Sequence, residues 1–459
     1  MGCVSYCNRD APFGLFGSGD PSLDALLGPL EPSGLGLDFL TQKAIRRWAS
    51  DPQAQYSGPL GSLPGLTFSR ASAATRINAA GDEESVGANV LRFDYDPVTL
   101  APRGALLESA RTKFLSNSMM TGVSPGAAGT ATVPGAPTGW LLSLWGGCAA
   151  QIVGEGTFRG IRYFDVRLTG TNAASYAAFQ IRAPNISTAA GVERVLSLNL
   201  TKVGGTTDGI ALFGCTAMLD AYVGGSFSGT RGQSAEGIPS GDFAASRIVT
   251  SVLTTPAGTG YITPLYQVLI SPSATVDITL RVGRWQVEDG KFASSFVGTT
   301  SGAATRAADA LSVVLPHELD AAAGLTIAVR ARAPDVNLLD PNNQGLFSLS
   351  SADFSDRLTV YRAGATNRPT YLAYDGGALV FAGSADATPN SQVYRVGMRI
   401  SGNALHAMRN GVVGAPIALS STPSGLKTLH IGSSADQHIQ SLVVIPSAVS
   451  DATLAGLLA

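Results

Sequence analysis

The stretch 325–332, LTIAVRAR, sets the reading of the whole chain. Leu325, Ile327, Val329 and Ala331 alternate with Thr326, Ala328, Arg330 and Arg332. A period of two is the mark of a strand with two unlike faces. The same style continues toward the C-terminus. Asn410-Gly411 predicts a tight hairpin, because both central positions of such a turn need positive φ. Residues 441–445 read as a strand and Pro446 breaks it. Ser450 then caps a last short helix over 451–458. Toward the N-terminus, 160–168, 194–203, 210–219, 247–253 and 275–286 are further β-type runs separated by Gly-rich turns. Many short strands with such turn signals predict sandwiches or jelly rolls. No βαβ alternation appears, which argues against an α/β enzyme fold.

Composition agrees. The 459 residues suffice for two to four domains, at ~100–200 residues each. Hydrophobic residues are 45% and charged residues 14%, the reverse of a disordered chain's makeup. A net charge of −2 leaves no basic footprint for nucleic acid. No apolar run reaches the ~18–20 residues of a membrane helix. The start lacks a charged region followed by a long apolar one, so a protein made and assembled inside a cell is expected. Cys3 and Cys7 are spaced like half of a metal site, but no second Cys or His pair lies near them. Cys148 and Cys215 are remote, so no disulfide framework is expected.

The chain divides into 1–62, 63–116, 117–309 and 310–459. In the first piece Leu37, Leu40, Ala44 and Trp48 fall on one helical stripe, with Lys43, Arg46 and Arg47 in the same predicted helix. A helix this short needs a surface to dock on. It is either an attachment segment for a partner protein, made of Leu37, Leu40, Lys43, Arg46, Arg47 and Trp48, or an extension packed on its own domain. In the second piece Leu91, Phe93 and Tyr95 alternate with Arg92, Asp94 and Asp96, which predicts a half-buried strand ended by Pro97. Gly81-Asp82 marks a turn.

Residues fit for chemistry are few. His317, His406, His430 and His438 form no ligand set and are expected at the surface. Asp94 and Asp96, two apart on a strand, share a face. Their spacing fits the paired carboxylates of a glycosidase, which stand ~5–9.5 Å apart, or a hard cation such as calcium. The plainer reading is a strand end running into an Asp-Pro turn. No Walker A sequence or G-x-S-x-G elbow is present. No cofactor or metal is expected, and calcium has no positive support. Sugars are recognised by apolar ring faces on aromatic side chains, with polar groups fixing orientation. The candidates are Tyr361, Tyr371, Tyr374 and Asp375 in the last piece, and Trp140, Trp145 and Trp285 in the middle one. For each aromatic alone, a place in the core is the plainer reading.

Two blocks carry a resemblance. The first is 66–117, with Phe68, Arg70, Ala71, Ser72 and Thr75, then Arg92, Phe93, Asp94, Asp96 and Pro97, then Gly104, Leu106, Glu108 and Thr112. It departs from the family pattern at Lys113 and at Asp82-Glu83-Glu84. The second is 285–313, with Gln286, Val287, Glu288, Phe292, Ala293, Ser294, Ser295 and Phe296, then Thr305, Arg306, Ala307, Ala308 and Asp309. Both resemble blocks of bacteriophage or gene-transfer-agent head-spike and fibre proteins, where they frame a jelly roll like a carbohydrate-binding module. The closing run 439–446 with Ser450-Asp451 is similar to laminin-G or concanavalin-A-like lectin sandwiches.

The resemblance implies a mainly β protein of tandem antiparallel β-sandwiches (jelly rolls) with a short, partly helical N-terminal attachment segment. It implies a non-enzymatic spike that attaches to capsid or tail proteins and adheres to host cell-surface polysaccharide. A homo-oligomer is expected, trimer before pentamer, assembled in the bacterial host cytoplasm and displayed on the virion surface. A polysaccharide depolymerase and a passive decoration protein are the alternatives. The framing blocks themselves read as scaffold, so no family binding residue carries over.

Overall fold

Strand Gln437–Ile445 is buried along its whole length. It runs between Leu325–Arg332 on one side and Gly34–Asp38 on the other, with Leu442 opposite both Val329 and Leu37. The computed structural model that shows this describes residues 33–333, 343–364, 366, 368–385, 393–432 and 436–459. Among them these strands belong to an eleven-stranded sheet. A seven-stranded sheet faces it, running in order Ala378–Ser384, Arg368–Asp375, Arg357–Ala363, Gln344–Ser350, Leu426–Ile431, Ala310–Leu319 and Leu66–Ser69. Leu35, Leu37, Ile327, Val329, Val360, Leu429 and Val444 fill the space between. The outer side of the eleven-stranded sheet is covered by helix Asp451–Gly456, whose Leu454 packs with Ile45, Ala328 and Val443. Ser450 caps that helix through Oγ, which accepts from the Thr453 amide at 3.1 Å.

The second sandwich is an insertion in the first. The chain leaves along Arg111–Lys113 and returns along Ala304–Arg306, and these strands pair with each other. Between them a six-stranded sheet faces an eight-stranded one. The six-stranded sheet runs Leu141–Trp145, Ala177–Arg182, Thr259–Ile270, Thr216–Val223 and Ser226–Gln233, with Ile186–Ser187 beside Thr259–Ile270. Its core holds Trp140 and Trp285 edge to face at 5.1 Å, with Phe164, Phe179 and Tyr266. Cys148 and Cys215 are free and buried in it.

The structure departs from three expectations. The helix predicted within 37–48 is a hairpin of Gly34–Asp38 and Lys43–Arg47, followed by short 3-10 turns at Pro52–Ala54 and Leu60–Ser62. Leu35, Leu37 and Phe39 alternate with period two, and that signal outweighs the helical stripe because a neighbouring strand is there to be paired. The division at 62 and 63 is not a structural boundary, because residues from 34 to 107 supply strands to the first sandwich. Third, strand Arg92–Tyr95 buries its charges: Arg92 and Asp94 are inside while Phe93 and Tyr95 are half-exposed. Cys3 and Cys7 lie outside the described residues.

The inverted strand belongs to a buried ionic cluster at the junction of the two sandwiches. Asp309 takes Arg70 Nη1 at 3.1 Å and Arg92 Nη2 at 2.5 Å. Glu108 takes Arg92 Nη1 at 2.6 Å and Arg306 Nη1 at 3.1 Å. It also accepts from the Ser295 amide and hydroxyl at 2.8 and 2.6 Å. Burial alone would raise the Glu108 carboxyl, but Arg306, Arg92 and Ser295 hold it well below the usual carboxylate range. Lys113 lies over the Phe296 ring and donates to the Val297 carbonyl at 2.6 Å, and burial pushes its pKa well down. The two framing blocks of the sequence thus meet in space as the joint of the molecule.

Candidate functional site

The outward face of the six-stranded sheet follows from strand parity. Phe179 and Ile181 point into the core, so Gln180 and Arg182 point out. By the same rule Leu141, Ser143 and Trp145 face out beside Leu142 and Leu144. Tyr261 and Thr263 face out beside Ile262, and Asp220 and Tyr222 beside Leu219 and Ala221. Pairing then sets neighbours: Leu141 opposite Arg182, Asp220 opposite Thr263, Tyr222 opposite Tyr261.

Part of this face forms a cavity of about 310 Å³ lined by Arg182, Asn185, Tyr222, Tyr261 and Thr263 together with Leu141 and Pro184. That volume is near the lower end for a small-molecule site, ~300–1,000 Å³. Tyr222 and Tyr261 are stacked at 4.8 Å and 11° and form an aromatic wall, extended by Phe227 at 6.1 Å. Arg182 Nη2 reaches the Tyr222 hydroxyl at 3.4 Å. Thr263 Oγ1 donates to Asn185 Oδ1 at 2.8 Å. Beside the wall, Asp220 is buried and takes Arg231 Nε at 3.1 Å, while Arg231 lies over the Phe227 ring at 4.6 Å. Burial raises the Asp220 pKa, and Arg231 and Arg182 pull it partly back. The arrangement offers ring surface, a guanidinium, a side-chain amide and a hydroxyl to one occupant.

A second cavity of about 410 Å³ lies between the hairpin of Ala74–Ile77 and Glu83–Val86 and the inserted sandwich. Its charged residues are all in ion pairs: Glu83 with Arg284 and Glu84 with Arg76, both at 2.6 Å, and Arg162 with Glu155 at 3.0 Å.

The residues singled out in the sequence scatter. Trp140 and Trp285 are core. Trp145 is half-buried on the outward face of the six-stranded sheet and stacks with Tyr176 at 6.1 Å. Tyr371 is core, its hydroxyl donating to the Met408 carbonyl at 2.8 Å. Tyr361 and Tyr374 are half-buried on the first sandwich, Tyr374 beneath the Arg357 guanidinium at 3.5 Å. Asp375 sits at the turn into Ala378–Ser384. The expected attachment stripe does not form. Leu37 and Trp48 are buried, and Arg46 is buried and donates to the Ala54 and Pro64 carbonyls. Leu40, Lys43 and Arg47 are half-buried around the same hairpin.

Asp94 and Asp96 do separate work. Asp94 accepts from the Ile77 amide at 2.7 Å and bonds His438 Nε2 at 2.9 Å. Asp96 accepts from the Val98 and Thr99 amides and from Arg103, which hold its pKa below the usual range despite some burial. His438 is therefore buried, not at the surface as expected. Among the described residues no group of three or more His, Cys, Asp or Glu is placed to hold a metal ion. The Tyr222–Tyr261 wall was missed because both tyrosines read as ordinary strand residues. Their alternation with Ala221 and Ile262 was the available signal, and only the cross-strand register joins them.

No family model matches the chain, and no curated protein matches it. Solved structures do. A carbohydrate-binding module of the Ruminococcus gnavus IT-sialidase, bound to α2,3-sialyllactose, is 14% identical and covers 30% of this chain and 84% of its own, at a TM-score of 0.25. A single-substitution variant of human galectin-16 is 14% identical, covering 29% and 96%, at 0.23. A pentraxin from Limulus polyphemus is 13% identical, covering 30% and 71%, at 0.24. Each likeness spans less than a third of this chain and concerns the β fold alone.

Proposed function

We propose that this protein is a non-enzymatic adhesin that holds a glycan in the groove of the six-stranded sheet, against the Tyr222–Tyr261 wall. The observation that carries the reading is the convergence of that wall with Arg182, Asn185 and Thr263 on one cavity. Apolar ring surface beside a few fixed polar groups is what sugar recognition needs. Such sites are individually weak, and display in many copies raises avidity ~10²–10⁴-fold without new contacts.

The wider role rests on the resemblance of the two framing blocks to phage and gene-transfer-agent spikes. In that role the chain is a homo-oligomer on the virion surface, attached to capsid or tail proteins, with host polysaccharide as its target. The buried ionic joint supports it, because a rigid connection between sandwiches suits a projecting spike. Asp94 and Asp96, being committed to His438 and to a turn, favour binding over bond cleavage.

The test is incubation with host cells and purified capsule polysaccharide, reading both retention and reducing ends. Saturable retention without new reducing ends is expected. Release of reducing ends would replace adhesion with a depolymerase. No retention on any capsulated host would leave a passive decoration protein.

A further inference from the structure

We infer that the groove takes an internal stretch of a linear, uncharged polysaccharide, and not a chain end, because the same sheet face carries a second aromatic platform. The inference rests on the glycan reading of the groove. Trp145 points outward and stacks with Tyr176 at 6.1 Å and 29°, and Tyr176 is 48% exposed. Trp145 pairs with Ala178, and Ala178 with Leu269. Leu269 and Tyr261 lie on one strand, Thr259–Ile270, an even number of residues apart, and so share the face. At ~3.3 Å per residue the two platforms stand roughly 26 Å apart along the strand.

The floor between them is suited to a long neutral chain. Ser143, Gln180 and Gln267 cross it on three adjacent strands, opposite one another in register. Gln180 Nε2 donates to Gln267 Oε1 at 2.9 Å. Of the ionisable groups of the face, Arg182 stands opposite Leu265, midway along the span, with Nη2 on the Tyr222 hydroxyl, and Asp220 and Arg231 pair with each other nearer the tyrosine end. A polyanion would call for a row of cations, whereas among the described residues the face has the one guanidinium of Arg182 outside the Asp220–Arg231 pair, and its amides and hydroxyl match sugar hydroxyls. A chain end would use only the tyrosine cavity, whereas an internal stretch also covers the ring surface that Tyr176 exposes.

The experiment uses the full chain. Dextran, amylose, xylan and purified capsule polysaccharides are screened by affinity electrophoresis. The retained polymer is cut into a ladder from disaccharide to octasaccharide and titrated by calorimetry. Affinity is expected to climb with length and level off once a chain spans both platforms. Trp145→Ala is expected to weaken the longest oligosaccharide about tenfold, the worth of one lost aromatic stack, and to leave the disaccharide unchanged. Trp145→Phe should keep the length dependence, which guards against misfolding as the cause. Tyr261→Ala should weaken every length. Equal affinity at all lengths, or a Trp145→Ala protein that keeps the length dependence, overturns the inference and leaves the groove reading standing. A change in oligomeric state on Trp145→Ala would make the platform a contact between copies and overturn it too. Retention of none of the polymers overturns both.

Discussion

Asp309 and Glu108 each accept from two guanidinium groups, three in all because Arg92 is shared between them. All are buried, so removing Asp309 leaves Arg70 without its carboxylate away from water and Arg92 with Glu108 alone. Asp309→Ala is expected to cost about 3–5 kcal/mol, read as a fall in urea midpoint, while Tyr374→Ala on the surface should change it little. Asp436 gives a pH signature. Burial raises its pKa to about 7 against the pull of Arg111. The unfolded chain gives up this proton near pH ~4, so folding stability falls as pH rises from about 4 to about 7. Asp436→Asn should remove that slope, measured as urea midpoints near pH ~5 and near pH ~8. An unchanged slope would mean that another group carries it. At this scale the sequence was legible where backbone geometry decides. Asn410 and Gly411 both have positive φ in the hairpin between Ala404–Arg409 and Val412–Val413, as predicted. It was illegible where partners decide: nothing local says that Arg92 faces inward, since Glu108 and Asp309 arrive from elsewhere in the chain.

The hairpin of Gly34–Asp38 and Lys43–Arg47 shows what an element gains from its neighbours. Gly34 and Gly36 give it poor intrinsic strand propensity. It forms because the edge of Gln437–Ile445 is there to pair with and because Leu35, Leu37, Phe39 and Trp48 are buried beneath it. Loss of those four side chains, at ~2–5 kcal/mol each, is as large as the ~5–15 kcal/mol that holds a domain folded. Removing residues 1–62 is therefore expected to leave the first sandwich insoluble. Soluble yield and a circular-dichroism melt would show it; a truncated protein with a normal melt would contradict the placement of this strand. Element types were readable wherever alternation was strong, as in Leu325–Arg332 and Thr275–Asp289. The N-terminal error arose because a helical stripe and a strand alternation overlap in the same residues.

For the whole molecule, antiparallel β-sandwiches were legible from strand spacing, but their nesting, one inserted in the other and not in tandem, was not. The first sandwich is closed by its two ends, and pairing between residues hundreds apart leaves no periodic trace. The groove shares that cause, since Tyr222 and Tyr261 meet only through register. Of the aromatic candidates read from sequence, Trp145 lies on the groove's sheet face, whereas Tyr361 and Tyr374 lie on the other sandwich. Retention of Tyr261→Ala and Tyr374→Ala proteins on one host polysaccharide, side by side with the unaltered chain, separates the two. A glycan held against the tyrosine wall predicts about a tenfold loss for Tyr261→Ala, one aromatic stack, and no loss for Tyr374→Ala. The reverse pattern would place the glycan on the first sandwich and contradict the groove.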